Sequence, residues 1–446
     1  MANFIKILMG KEAKNKRILP QVDALKIVIV EFSEYGNYEF GKKLNTLLEK
    51  NACFDVRYFD EPFDKKFLNL QGRNFFDLLD AGNILLQKLN ADIIIWGYQE
   101  NENIRLNFQT ANAYSDWENV SCSILESLFI PAQYFEQIDS FPELLKNLII
   151  GMIAAAISEQ RIDLKYLKQK LLKEVIYKLS NGKPTDQEEF MFSPWVMNAA
   201  GFIYLTYAQR DLTQRTFDST KELFKNALQY KNKIPQNIHL GCIYKNLGQL
   251  YETALKLDLG QHWMLFKEAI TNYRTAQKYL DHYNCPYDFA LISFKLSQLY
   301  FRYWKFSDDV QALRDAVHFL HEAEKTYTQI SFPELWSKIE GYLGFYLSLL
   351  GLFSKSKEIS MLAIQSYKNK QLVYRKELYP VMWAKIQENI ANVYYNIGKI
   401  GNDESAYAEA VNYYQSALKV YESKKMRNEI AVISSSMDKV NTALKE

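Results

Sequence analysis

At 446 residues, 48% hydrophobic and 24% charged, the chain is too long for one compact core and has the composition of folded globular protein. Ten prolines and 17 glycines leave little material for flexible linkers, and a formal charge of +2 argues for neither a polyanion binder nor an acidic tail. That balance is uneven: residues 1–17 carry five basic side chains against one acid, residues 18–140 ten against nineteen, and residues 141–446 thirty-nine against thirty-two.

The chain opens with MANFIKILMG and KEAKNKR, a segment without the apolar stretch of a secretory signal. Phe4, Ile5, Ile7 and Leu8 fall within one or two turns, and Lys6, Lys11, Lys14, Lys16 and Arg17 add positive charge. A short helix of this kind would lie weakly on an anionic membrane, each basic residue near the surface contributing ~1 kcal/mol. The competing expectation is a frayed terminus.

From residue 21 the pattern changes. LKIVIVEF (25–32) and CFDVRYFDE (53–61) read as strands, and NYEFGKKLNTLLEK between them as a helix. RNFFDLLDAGNILLQKL is a second helix, ADIIIWGYQ a third strand, and ENEN a tight turn into a fourth, IRLNFQTA. The expectation is a small α/β domain over residues 21–140 whose last two strands form a hairpin. Its first loop, SEYGNYEFG, has Gly36 and Gly41 without either phosphate-binding glycine spacing, so a polar loop is preferred over a nucleotide site. The apolar run LIIGMIAAAI (148–157) is about half the ~20 residues of a membrane span and predicts a buried helix in a connector over 141–192.

The remainder repeats. Pro286, Pro333 and Pro380 stand 47 residues apart, and the same step relates Ala269, Ala316, Ala363 and Ala410 as well as Tyr273, Leu320, Tyr367 and Tyr414. Leu296, Leu343 and Ile390 share a column, followed by Ser297, Gly344 and Ala391. A large apolar residue beside a small one, kept in register, is what two closely packed helices require. Each unit reads as a helix hairpin, with proline opening the first helix and an Ala-aromatic-Ala face on the second. Lys370 breaks that face, which predicts a splayed hairpin. Earlier units begin at Pro194 and Pro235, giving five hairpins over 193–446 with NEIAVISSSMDKVNTALKE as a capping helix.

These columns resemble the tetratricopeptide repeat, with a period longer than the usual 34 residues of that family. The front domain resembles the N-terminal α/β domain of TolB. The two resemblances imply a right-handed all-α solenoid behind a docking or self-assembly module, in a cytoplasmic bacterial scaffold. They also imply that the first helices line a concave groove, with Lys245, Gln249, Phe294, Gln298, Phe301, Arg302, Lys338, Phe345, Lys385, Asn392 and Tyr395 facing it. Lysines, amides and aromatics there suit an extended protein or peptide partner carrying acidic groups. The family's clamp for chaperone tails is not reproduced: the matching positions hold Lys245, Gln249, Lys295, Lys338 and Tyr342, without its asparagines and arginine.

No residue pattern announces a reaction, and no enzyme, cofactor or metal is expected. His318 and His321 lie three apart beside Glu322, but their columns hold Thr271, Gln365 and Asn412 and then Arg274, Lys368 and Gln415, a solvated face. His239, His262 and His282 are isolated, and Glu31 with Glu34 makes only the acid pair that any α/β loop offers. Cys53, Cys122, Cys242 and Cys285 form no Cys-x-x-Cys pair, which points to reduced thiols. Three functions are therefore weighed: a protein-binding scaffold, a peripheral membrane assembly protein docked through residues 1–17, and a nucleotide-sensing regulator. Opposite charge at front and back allows head-to-tail self-association, and no basic cluster is dense enough for nucleic acid.

Overall fold

The computed structural model describes residues 24–31, 40–60, 74–100, 102–110, 127–136, 141–157, 162–181, 193–209, 212–230, 237–283 and 285–444. The basic N-terminal segment, most of the first loop, Cys122 and Pro235 lie outside them. The chain forms two compact units, residues 1–288 and 289–446, each described by itself.

The first unit starts with a five-stranded sheet of order β2-β1-β3-β4-β5. Strands β1 (Leu25–Val30), β2 (Phe54–Phe59) and β3 (Ile93–Glu100) run parallel, linked by helices α1 (Phe40–Leu48) and α2 (Asn74–Leu89). The predicted hairpin is present: β4 (Asn103–Thr110) pairs antiparallel with β3, Ile93 opposite Thr110 and Glu100 opposite Asn103. A fifth strand, β5 (Ser127–Pro131), pairs antiparallel with β4 and is absent from the sequence reading. SLFIP is too short to show alternation, and its terminal proline removes a donor, which an edge position tolerates.

Alternation along the strands divides the sheet into two faces. Leu25, Ile27, Ile29, Ile93, Ile95, Ile104, Leu106, Leu128 and Ile130 bury one face. Their core runs without a break through α3 (Gln133–Glu136), α4 (Glu143–Ala156), α5 (Lys165–Asn181) and α6 (Pro194–Ala208). The LIIGMIAAAI run is thus a buried helix, as expected. The buried Lys168 ammonium caps its end, donating to the Ile157 carbonyl at 2.7 Å. The other face of the sheet buries Val28, Val30, Ile94 and Trp96 against Leu86 of α2.

Beyond α6 the helices come in pairs: α7 (Gln214–Gln229), then α8 (Asn237–Lys256) with α9 (His262–Tyr279). The second unit continues with α10 (Pro286–Ser307, its first three residues in unit one) and α11 (Val310–Glu324), α12 (Pro333–Phe353) and α13 (Lys357–Val373), α14 (Pro380–Gly401) and α15 (Glu404–Ser423). This is a helical solenoid behind a small α/β region. Pro194, Pro286, Pro333 and Pro380 each open a first helix, where the missing N–H has no helical acceptor to lose.

The small column does what its composition predicts. A Cβ added at Gly201, Gly248 or Gly344 would stand 2.7, 2.7 or 2.8 Å from the rings of Phe224, Tyr273 or Tyr367 on the second helix of the same hairpin. Aromatics three residues further on stack across the hairpin, Tyr300 on Phe319 and Tyr394 on Tyr413, both with centroids 5.5 Å apart.

The 47-residue step also sets the turn. Asp308, Lys355 and Asn402 each take a left-handed backbone, with φ of 54°, 51° and 49°. Each is followed by a side chain that caps the second helix: Asp309 accepts from the Gln311 amide, Ser356 from Ile359 and Asp403 from Ala406. The extra residues of the long period therefore extend the first helices, of 22, 21 and 22 residues, and leave only a short break within each hairpin.

Lys370 does not splay its hairpin. The column that holds Phe294 and Glu388 in neighbouring repeats holds Gly341 here. The Lys370 side chain lies over that glycine, its Cδ 3.2 Å from where a Cβ would stand. The last helix, α16 (Arg427–Ala443), buries Ile433 and Val440 against α14 and α15. It exposes Ser434, Ser435, Asp438, Lys439 and Asn441 together with Val432.

Candidate functional site on the first helices

The residues assigned to a groove from sequence lie on first helices: Lys245 and Gln249 on α8 of the first unit, the other nine on α10, α12 and α14 of the C-terminal unit. Of the eleven, Phe345, Lys385 and Asn392 are exposed, and Gln298, Arg302, Lys338 and Tyr395 are half-buried. Four are not groove residues in the expected sense: Lys245, Gln249, Phe294 and Phe301 are buried. A first helix inside a solenoid is packed on several sides, so a position one step off the open stripe is taken into the core. Phe294 meets the edge of Tyr342 at 5.4 Å, and Phe301 stacks on Tyr346 at 4.4 Å. Lys295 is buried too, so two of the three lysines compared with the chaperone-tail clamp lack an open surface.

What the helices build instead is an aromatic strip. Phe301 touches Trp304, Phe345 and Tyr346, and Trp304 meets the edge of Phe353 at 5.4 Å. Phe345, Leu352 and Phe353, seven and eight residues apart on one face of α12, keep 41%, 37% and 54% of their surface exposed. Two lysines bracket the strip. Lys305 lies over the Phe301 ring at 4.7 Å and Lys399 over the Tyr395 ring at 5.8 Å. Both are i,i+4 pairs, and they occupy the same two columns two repeats apart, with Ser348 and Leu352 between them. Lys385, Asn392 and Lys399 follow at seven-residue steps, on one face of α14.

Sequence reasoning missed Trp304, Lys305, Phe353 and Lys399. The signal was available: applying the 47-residue step to Phe301 and Lys305 leads through Ser348 and Leu352 to Tyr395 and Lys399.

The titratable groups beneath this surface are structural. Burial, and then the charge of Lys338, hold the Lys370 ammonium below its ordinary pKa. Glu324 accepts a hydrogen bond from Trp336 Nε1 at 2.9 Å, and Glu340 accepts one from Asn369 Nδ2 at 2.6 Å. Burial, and next the Glu324 carboxylate, push the Glu340 carboxyl up to about 7. A folded pKa above the unfolded one means that Glu340 costs nothing below pH 4.5, with the penalty growing to its full value above pH 7. Glu340→Gln should therefore stabilise the protein by about 2 kcal/mol at pH 8. Thermal unfolding of both proteins near pH 4.5 should show no gain, and an equal gain at both pH values would refute this assignment.

The histidines do not gather. His318 and His321 are exposed, as their columns predict, and His321 pairs with Glu324 of its own helix at 3.4 Å. His239 is buried edge-on against Phe129 and Trp195, at 4.7 and 4.4 Å, two rings that stack on each other at 4.6 Å. Among the described residues no group of three or more His, Cys, Asp or Glu side chains is placed to hold a metal ion. In the first loop, Glu31 accepts hydrogen bonds from the Gly41 amide, at 2.9 Å, and from the Tyr58 hydroxyl. A carboxylate thus occupies the α1 amide that a phosphate would need. No helix among the described residues is long and apolar enough to cross a membrane. No known family model matches this chain, and no curated protein matches it.

Proposed function

We propose that the protein is a scaffold of tetratricopeptide-like repeats that binds a protein partner on the first helices of its C-terminal unit. The aromatic strip between Lys305 and Lys399 carries this reading. An extended partner segment would lay apolar side chains on Phe345, Leu352 and Phe353 and direct acidic groups to the lysines at either end. The rings add buried area, and the ammonium groups add charge-assisted hydrogen bonds once a carboxylate displaces water. Lys338, Arg302 and Asn392 extend the polar border. Binding needs no cofactor and no covalent step, which fits a chain whose buried acids and histidines are accounted for by packing.

The test is co-purification from native lysate with the wild type and with Lys305→Glu, Lys385→Glu and Lys399→Glu combined, all three lysines being exposed. The expected result is loss of a specific partner from the triple variant while its circular dichroism stays unchanged. A partner set identical for the two proteins would overturn the reading.

A further inference from the structure

The turn between α13 and α14 departs from its counterparts in the array. At 47-residue steps the repeat before holds Lys325, Ser331 and Glu334, and the repeat after holds Lys419, Lys425 and Asn428. In the same columns this turn holds Leu372, Leu378 and Val381, which are 55%, 63% and 39% exposed. Tyr379 and Met382 beside them keep 49% and 41% of their surface. Packing does not call for the three apolar residues, because the hairpins on either side close with polar ones in their place. Clustered within residues 372–382, the five side chains form an exposed apolar patch of the kind that marks a contact surface.

The charge around the patch changes with it. Arg375 and Lys376 stand where the repeat before has Thr328 and Gln329 and the repeat after has Glu422 and Ser423. Between Glu358 and Glu388 the chain carries five basic side chains against one acid, Glu377. Lys368, Arg375 and Lys376 are exposed, and among the described residues none of the three pairs with a carboxylate. Lys376 lies instead over the ring of the half-buried Trp383, at 4.9 Å. Apolar side chains ringed by unpaired cations suit a partner that is anionic outside and apolar within.

Position narrows the choice. Leu372 lies in the last turn of α13, Leu378 and Tyr379 in the connection, and Val381 and Met382 in the first turn of α14. The patch therefore caps a corner between two helices and lines no groove for a peptide. A second copy seated on the same patch would bring like charge against like. A bilayer needs no complementary shape: its interface takes in apolar side chains, holds Tyr and Trp at headgroup level and draws Lys and Arg to anionic lipid.

We propose that this corner is a peripheral membrane contact. Leu378, Tyr379, Val381 and Met382 enter the interface of an anionic bilayer, and Lys368, Arg375 and Lys376 meet its headgroups. The contact does not depend on the partner-binding reading, because it uses no residue of the aromatic strip, and it uses none of residues 1–17.

The neighbouring repeat supplies the test variants, built from residues that the same columns already accommodate. Full-length protein is pelleted with phosphatidylcholine vesicles that either contain phosphatidylserine or lack it. The wild type should pellet with the anionic vesicles and less with the neutral ones. Leu378→Ser combined with Val381→Glu should weaken binding to anionic vesicles about tenfold or more. Arg375→Thr combined with Lys376→Gln should weaken it about tenfold and reduce the preference for phosphatidylserine. Melting temperatures equal to that of the wild type separate a lost contact from a lost fold. A wild type that stays in solution with both kinds of vesicle would overturn the proposal, and so would variants that pellet as the wild type does. A protein captured by the wild type and lost by both variants, without vesicle binding, would make the corner a protein contact instead.

Discussion

Replacing Gly344 with valine should cost about 3 kcal/mol, a large fraction of the stability that a unit of this size possesses. Even the first added carbon would meet the Tyr367 ring at 2.8 Å, and valine adds two more carbons to a helix already in contact. The ring cannot simply swing away: Tyr367 is buried at 4% exposure, in the middle of α13. Gly→Val improves helix propensity by a few tenths of a kcal/mol, so the clash decides the sign. Denaturant unfolding of Gly344→Val, Tyr367→Ala and the double variant separates this account from a general loss of fold. Truncating the ring vacates the space that valine needs, so the two losses should combine to at least 1 kcal/mol less than their sum. Strict additivity would mean that the glycine is required for some other reason. Ser297 and Leu320 occupy these two columns one repeat earlier, and alanine in place of Ser297 removes a hydroxyl without adding bulk.

Acid should unfold the N-terminal unit through His239. Burial against Phe129 and Trp195, and then the charge of Arg105, lower its pKa to about 3. Its Nε2 is buried without a hydrogen-bond partner. A depressed folded value means that the unfolded chain binds the extra proton between pH 6.5 and 3. The stability that depends on neutral imidazole is complete above pH 6.5 and falls as the pH drops, by about 4 kcal/mol at pH 3. His239→Phe keeps an aromatic ring against the other two and cannot titrate. Its stability should therefore lose about 1.4 kcal/mol less per pH unit than the wild type between pH 4 and 6. Equal slopes for the two proteins would show that other groups, including carboxylates, carry the acid sensitivity.

Much of this architecture was legible because packing imposes the same demand on every repeat. Gly344 must be small for the reason that Gly248 must be, and the 47-residue step carries that demand along the chain. Proline helix starts and the β3–β4 hairpin were legible too, since each rests on local chemistry that tertiary structure does not override. The open surface was harder to read. A column fixes a residue's angle around its helix, but the width of the exposed stripe depends on how closely neighbouring helices approach. Phe294 and Phe301 are expected in the groove and lie in the core, while Phe353 keeps 54% of its surface. Lys370 shows the same gap from the other direction. A lysine on an otherwise alanine face looks disruptive until Gly341 is seen to make room for its stem, a compensation between two positions that inspection of either alone conceals.

The two ends of the repeats described above are held in different ways, the first by a β-sheet whose core runs into α6 and the last by α16 packed through Ile433 and Val440. The interior obeys a different rule, because Pro286, Pro333 and Pro380 begin interchangeable segments of equal length. Duplication or loss of one such segment would leave both termini as they are. Over generations, this lineage can therefore adjust the length of its repeat array by changing copy number from within.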